Sequence, residues 1–135
     1  MKSRDSFIRL RRFQVEERKR RVAQIELMIG EFDRISVDLD REITLEEQKS
    51  GISDPFHFAY PTYAKASRQR RDNLRRSADE LKLQLEDAKA ELGEAFEDLR
   101  KAEALEDRER SAERSLTGRD SALMSEAARG VRTGP

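Results

Sequence analysis

The 135-residue chain contains no cysteine and no tryptophan. Without cysteine there are no disulfides and no thiolate metal ligands, a composition compatible with a reducing cytoplasm. The single histidine, His57, has no second imidazole or thiolate to join it in catalysis or metal binding. No stretch approaches the roughly 18 apolar residues of a membrane span, and the N-terminus lacks a hydrophobic signal core. These absences point to a soluble intracellular protein. Neither sign of charge is in excess, since 28 basic residues face 28 acidic ones. A purely electrostatic binder of nucleic acid or anionic membrane carries a net positive charge, so that class starts weak. Neither a phosphate-binding glycine loop nor a nucleophile–base constellation is present, and no enzyme is expected.

What is present is charge, at 41% of residues, with aromatics at only 6%. Too few apolar groups remain for a compact globular core, but a coiled coil needs them at only two positions in seven. Glycine and proline are rare, with six and three in the chain. Two of the prolines and one glycine fall in a single segment, GISDPFHFAYP, residues 51–61. Gly51 suits the left-handed residue that ends a helix, and Pro55 cannot continue one. Asp54 and Tyr60, each before a proline, are pushed towards extended backbone. One helix therefore ends near Ser50, and another starts at Pro61 or Thr62.

Both flanking runs carry a seven-residue apolar period. In the first, Ile8, Val15, Val22, Ile29 and Ile43 alternate with Ile25, Phe32 and Leu39. Arg11, Arg18, Ser36 and Glu46 are the polar interruptions. In the second, Leu85, Leu92 and Leu99 alternate with Leu74, Leu81, Ala88, Ala95 and Ala102. Leucine alternating with alanine favours close pairing of two helices. An antiparallel register opposes Ile43 to Leu74, Phe32 to Leu85 and Ile25 to Leu92. The same register brings Glu47 to Arg68, Asp40 to Arg75, Asp33 to Lys82, Glu26 to Lys89 and Arg12 to Glu103. It also opposes Arg11 to Glu106 on the seam. Each exposed pair contributes only about 0–1 kcal/mol, but their agreement selects a register. The expected fold is all-α, a long two-helix antiparallel coiled-coil hairpin over residues 1–116. Its first helix runs over about 4–50, its tip over 51–61 and its second helix over about 62–114. The segment 117–135, with three glycines and few large apolar groups, reads as a flexible tail.

Three surfaces are candidates for function. The tip holds Phe56, Phe58, Tyr60 and Tyr63, half of the chain's eight aromatics. They either cap the end of the seam locally or anchor a partner, since Tyr and Phe are enriched in interface cores. At the opposite end Phe7, Leu10 and Phe13 sit among arginines, and not all of them fit one seam. They either pack against the tail or insert into another molecule. The basic clusters RLRRF, RKRR and RQRRDNLRR could meet phosphates, but no aromatic platform or groove-reading motif accompanies them. A basic-helix nucleic-acid binder therefore ranks low, and a structural coiled-coil scaffold remains an alternative.

The start MKSRDSFIRLRRFQVEERKRRVAQIE, followed by EFDRISVDLDREI, resembles the flagellar export protein FliJ family in its alphaproteobacterial form. The segment GISDPFHFAYPTYAKASRQRRDNLRRSADELKLQLEDAKAEL extends the likeness, which covers about residues 1–110 and none of the tail. The resemblance implies a two-helix antiparallel coiled coil acting as a non-catalytic stalk in the flagellar type III export apparatus. It implies a cytoplasmic protein at the inner face of the membrane at the flagellar basal body, a monomer when free. Its implied partners are the export ATPase, whose ring it promotes, the cytoplasmic domain of the export gate, and export chaperones. By that likeness the terminal end, with Phe7, Leu10, Arg11, Arg12 and Phe13, enters the ATPase ring. The tip-side half, with Leu39, Ile43, Phe56, Phe58, Tyr60 and Tyr63, meets the gate. The proline-containing tip departs from the uninterrupted hairpins of better-known members, so gate-contacting residues do not transfer one by one.

Overall fold

A computed structural model describes the backbone of residues 2–132, with the side chains of Lys2, Ser121 and residues 126–132 left aside. Two helices, α1 (Lys2–Ser50) and α2 (Thr62–Arg132), account for the fold and pack against each other as a helical hairpin. No strand occurs among the described residues.

The break falls where the sequence places it. Gly51 is in the left-handed region at φ 72°, and its N–H donates to the Glu47 carbonyl at 2.9 Å. That bond closes the last turn of α1 in an αL cap, and a residue with a Cβ pays for this conformation. The tip is a series of hydrogen-bonded turns. Asp54 Oδ1 accepts from the Phe56 N–H at 3.0 Å, and the Asp54 carbonyl accepts from the His57 N–H at 3.1 Å. The Tyr60 N–H then donates to the His57 carbonyl at 3.0 Å. Pro61 contributes its carbonyl to the Lys65 N–H at 3.0 Å, opening α2.

The chain forms two compact units, and the tip belongs to Glu16–Gly93. In the unit Glu16–Gly93 most of the seam is apolar. Ile25, Leu81 and Ala88 are buried, with Val22, Ile29, Phe32 and Leu85 packed against them. Leu39, Ile43, Tyr60, Ala64 and Ala78 are buried nearer the tip, and Leu74 and Leu92 are half-buried. Ser36 is tolerated in this seam because its hydroxyl donates to the Phe32 carbonyl at 2.8 Å, one turn back. In the second unit, Met1–Val15 with Glu94–Pro135, Ile8, Val15, Ala95 and Ala102 are buried and Leu99 is half-buried. Here charge shares the seam: Arg4 reaches both Glu109 and Glu113.

Three of the five flanking pairs read from the sequence form. Asp40 lies 2.7 Å from Arg75, Glu47 3.8 Å from Arg68 and Arg12 3.8 Å from Glu103. Asp33–Lys82 and Glu26–Lys89 are not among the ion pairs of the described residues. Lys82 instead sits 3.7 Å from Asp79, one turn away on its own helix. Exposed lysines choose among nearly equal partners, and the local one needs less ordering. The opposition of Arg11 to Glu106 also fails. Arg11 turns out of the seam to Asp98 at 3.5 Å and Gln14 at 3.0 Å, while Glu106 takes Arg110 on its own helix. A guanidinium on a long stem reaches the hydrated flank, which costs less than meeting a carboxylate inside an apolar seam.

The second helix is also longer than the sequence reading has it. α2 continues to Arg132, so residues 117–132, read as a tail, are helical, and residues 133–135 lie outside the described residues. Alanine, leucine, arginine and glutamate favour helix, and Gly118 alone costs only about 1 kcal/mol relative to alanine. Leu116, Leu123 and Met124 are all more than half exposed.

Candidate functional site

At the terminal end, Phe7, Leu10 and Phe13 lie on the outer side of α1, 44%, 50% and 55% exposed. Their spacing of three sets them along one side of the helix, away from Ile8 and Val15, which face the seam. The Arg11 guanidinium lies 4.9 Å from the centre of the Phe7 ring, a cation–π contact that holds the ring against the helix. Arg11 is half-buried and its Nε is buried without a hydrogen-bond partner. Arg12 is the more accessible cation, 63% exposed beside Glu103. Of the five residues assigned to a partner here, four are accessible and Arg11 mainly positions Phe7.

The tip-side assignments divide more sharply. Phe56 and Phe58 are each 96% exposed, so neither caps the seam. The turns that carry them are fixed: the Ala59 N–H donates to Nδ1 of His57 at 3.0 Å, and the His57 and Phe58 rings stack with centres 4.7 Å apart. Leu39, Ile43 and Tyr60 are buried between the helices, and no partner reaches them unless the hairpin opens. They are seam residues, and the reading that put them on a contact surface is corrected on that ground. Tyr60 is what closes the tip end of the seam. Its hydroxyl donates to Glu47 at 2.9 Å, beside Arg68. Burial, and then the bond to Glu47, raise the Tyr60 pKa above the ordinary value near 10. Tyr63 stays more than half exposed and donates to Glu42 at 2.9 Å, which raises its pKa as well.

One anchoring group was not evident from spacing alone. Arg71, at a seam position of α2, sends Nη1 to Asp40 at 2.9 Å, and Asp40 accepts Arg75 through its other oxygen. Arg71 also holds Asp72. The available signal was Arg71 itself, a seam arginine that required an acid within one turn on α1. Arg18 follows the same rule and reaches Glu91 at 2.9 Å. Among the described residues no group of three or more histidine or carboxylate side chains is placed to hold a metal, and no helix is long and apolar enough to cross a membrane. No family model, curated protein or solved structure matches the chain.

Proposed function

We propose that this chain is a stalk and coupling component of the flagellar type III export apparatus. In this reading it binds and promotes the export ATPase ring, links it to the cytoplasmic domain of the export gate and escorts export chaperones. It would work in the cytoplasm at the inner face of the membrane, at the flagellar basal body. The observation that carries the reading is the terminal patch of Phe7, Leu10 and Phe13, off the seam and about half exposed on a two-helix hairpin. An exposed apolar patch on the first turns of α1, off the seam, suits a surface that seats against a partner. The resemblance of residues 1–110 to the FliJ family supplies the partner's identity. At the other end Phe56, Phe58 and Tyr63 are the residues offered to the gate, with Leu39, Ile43 and Tyr60 reserved for the seam.

The test is ATP hydrolysis by the export ATPase of the same cell, with and without the purified chain. The proposal expects higher turnover with the wild-type chain and loss of the stimulation with Phe7→Ser/Leu10→Ser/Phe13→Ser. Those side chains lie outside the seam, so the variant should retain its helical signal. No binding and no stimulation would leave a structural coiled-coil scaffold as the better reading.

A further inference from the structure

His57 is the chain's single imidazole, and it stands between the two rings that project furthest from the tip. Phe56 and Phe58 on either side of it are each 96% exposed. His57 takes part in three hydrogen bonds of the tip. Its N–H donates to the Asp54 carbonyl at 3.1 Å, and its carbonyl accepts from the Tyr60 N–H at 3.0 Å. Both of these need only a backbone. The third needs a side-chain acceptor, because Nδ1 accepts from the Ala59 N–H at 3.0 Å, two residues on. Asp54 makes the same kind of turn through Oδ1, which accepts from the Phe56 N–H at 3.0 Å. The tip is thus two such turns in succession, and the second is closed by histidine where asparagine or aspartate is usual.

Histidine differs from those residues in one property. An amide oxygen accepts at any pH near neutrality, whereas an imidazole nitrogen accepts only while it carries no proton. The Ala59 bond therefore requires the neutral ring with its proton on Nε2. In the imidazolium both nitrogens are donors, and Nδ1–H would confront the Ala59 N–H. The ring is exposed, so protons reach it from water. The groove beside it is lined from the tip and from α2, with Tyr60, Lys65, Arg68 and Asp72 as its titratable neighbours. Arg68 lies 3.8 Å from Glu47, and Asp72 lies 3.1 Å from Arg71. Both acids around the ring, Asp54 and Asp72, are thus engaged elsewhere. The His57 ring also stacks on Phe58 with centres 4.7 Å apart. That contact survives protonation, since a cation over an aromatic face is attracted. The charged ring keeps Phe58 and loses Ala59.

We infer that His57 is a proton-sensitive latch on the tip. Neutral, it closes the turn that fixes Phe58 and Ala59; protonated, it releases that turn and leaves the hairpin closed. The seam does not follow, because Tyr60 is buried at its end and holds Glu47 through its own hydroxyl at 2.9 Å. A partner that seats Phe56 and Phe58 together meets a fixed tip above the range in which imidazoles titrate, about pH 5–8, and a loosened one below it. This consequence rests on the reading of the tip as a docking end, whereas the latch itself does not.

The latch is tested by nuclear magnetic resonance on the isotope-labelled full-length chain at about pH 8 and about pH 5. The ring nitrogens report the tautomer. Water exchange of the Ala59 amide, relative to an unstructured peptide of the same sequence at the same pH, reports the bond. At the upper pH the proton should sit on Nε2. At the lower pH the protection of Ala59 should fall by about threefold to tenfold, the worth of one ordinary hydrogen bond. The Phe56 amide, held by an oxygen, should not follow it. His57→Asn supplies an acceptor that does not titrate and should protect Ala59 at both pH values. His57→Phe keeps a ring for the stack without an acceptor and should protect it at neither. Circular dichroism of both variants should match the wild type, since the side chain is exposed. A dominant Nδ1–H tautomer at the upper pH would overturn the proposal. So would equal protection of Ala59 at both pH values in the wild-type chain, or protection retained in His57→Phe.

Discussion

Asp40 is the residue on which the hairpin register can be tested most sharply, because it holds two arginines of α2 in unequal surroundings. One of its oxygens accepts Arg71 at 2.9 Å and the other Arg75 at 2.7 Å. The side chain of Arg71 is only 14% exposed, whereas that of Arg75 is 51% exposed. Distance alone would rank Arg75 first. Solvent reverses the order, since an exposed pair is screened and entropically costly, while a largely buried guanidinium loses an acceptor it cannot replace from water. Double-mutant cycles with Asp40→Ala against Arg71→Met and Arg75→Met keep most of each arginine stem and isolate the charge contact. The coupling to Arg71 should be about 1–2 kcal/mol, tempered because Arg71 keeps Asp72. The coupling to Arg75 should be about 0.2–1 kcal/mol. Stability is read by far-ultraviolet circular dichroism in urea, because guanidinium would itself screen the pairs. At about 1 M salt, where the screening length falls to about 3 Å, the Arg75 coupling should shrink more than that of Arg71. A coupling to Arg71 equal to or below that of Arg75 would refute both the ranking and the register behind it.

Other substitutions report on the tip. Tyr60→Phe should cost about 0.5–1.5 kcal/mol, since it removes the hydrogen bond to a half-buried Glu47 oxygen and leaves that oxygen only Arg68 at 3.8 Å. The same tyrosine makes stability pH-dependent. Its folded pKa is raised, so its contribution is complete below about pH 10 and is lost as pH rises from there through the folded value. A urea midpoint series should show that alkaline loss reduced in Tyr60→Phe, and an identical slope in both proteins would contradict it. Gly51→Ala should destabilise by about 1–2 kcal/mol, because alanine must adopt the positive φ of the cap. Phe56→Ser/Phe58→Ser should leave the urea midpoint within about 0.5 kcal/mol of wild type, since neither ring is buried.

The hairpin was legible because two strong signals agree. The heptad stripes of the two runs match only if the chain reverses, and Gly51 with Pro55 and Pro61 says where. Leu39 and Ile43 were readable as seam positions, and placing them on a contact surface ignored that a seam has two sides. What spacing could not decide was the destination of long charged side chains. Arg11, Arg71 and Lys82 each had several carboxylates within reach, and small differences in burial and local geometry chose among them. The end of α2 was misread for a related reason. Leu116, Leu123 and Met124 stay exposed, so the seam pattern does not continue there, and Gly118 is too weak a breaker to stop the helix. The exposure of Phe56 and Phe58 was open from sequence, because the turns at Asp54 and His57 that direct them depend on hydrogen bonds that composition does not reveal.

The central functional claim is that the terminal end of the hairpin, and not its tip, meets the export ATPase. Direct binding of two full-length variants to that ATPase tests it most plainly. The account predicts that Phe7→Ser/Leu10→Ser/Phe13→Ser loses binding while Phe56→Ser/Phe58→Ser binds as the wild type does. Retained binding by the terminal variant, with loss in the tip variant, would contradict it.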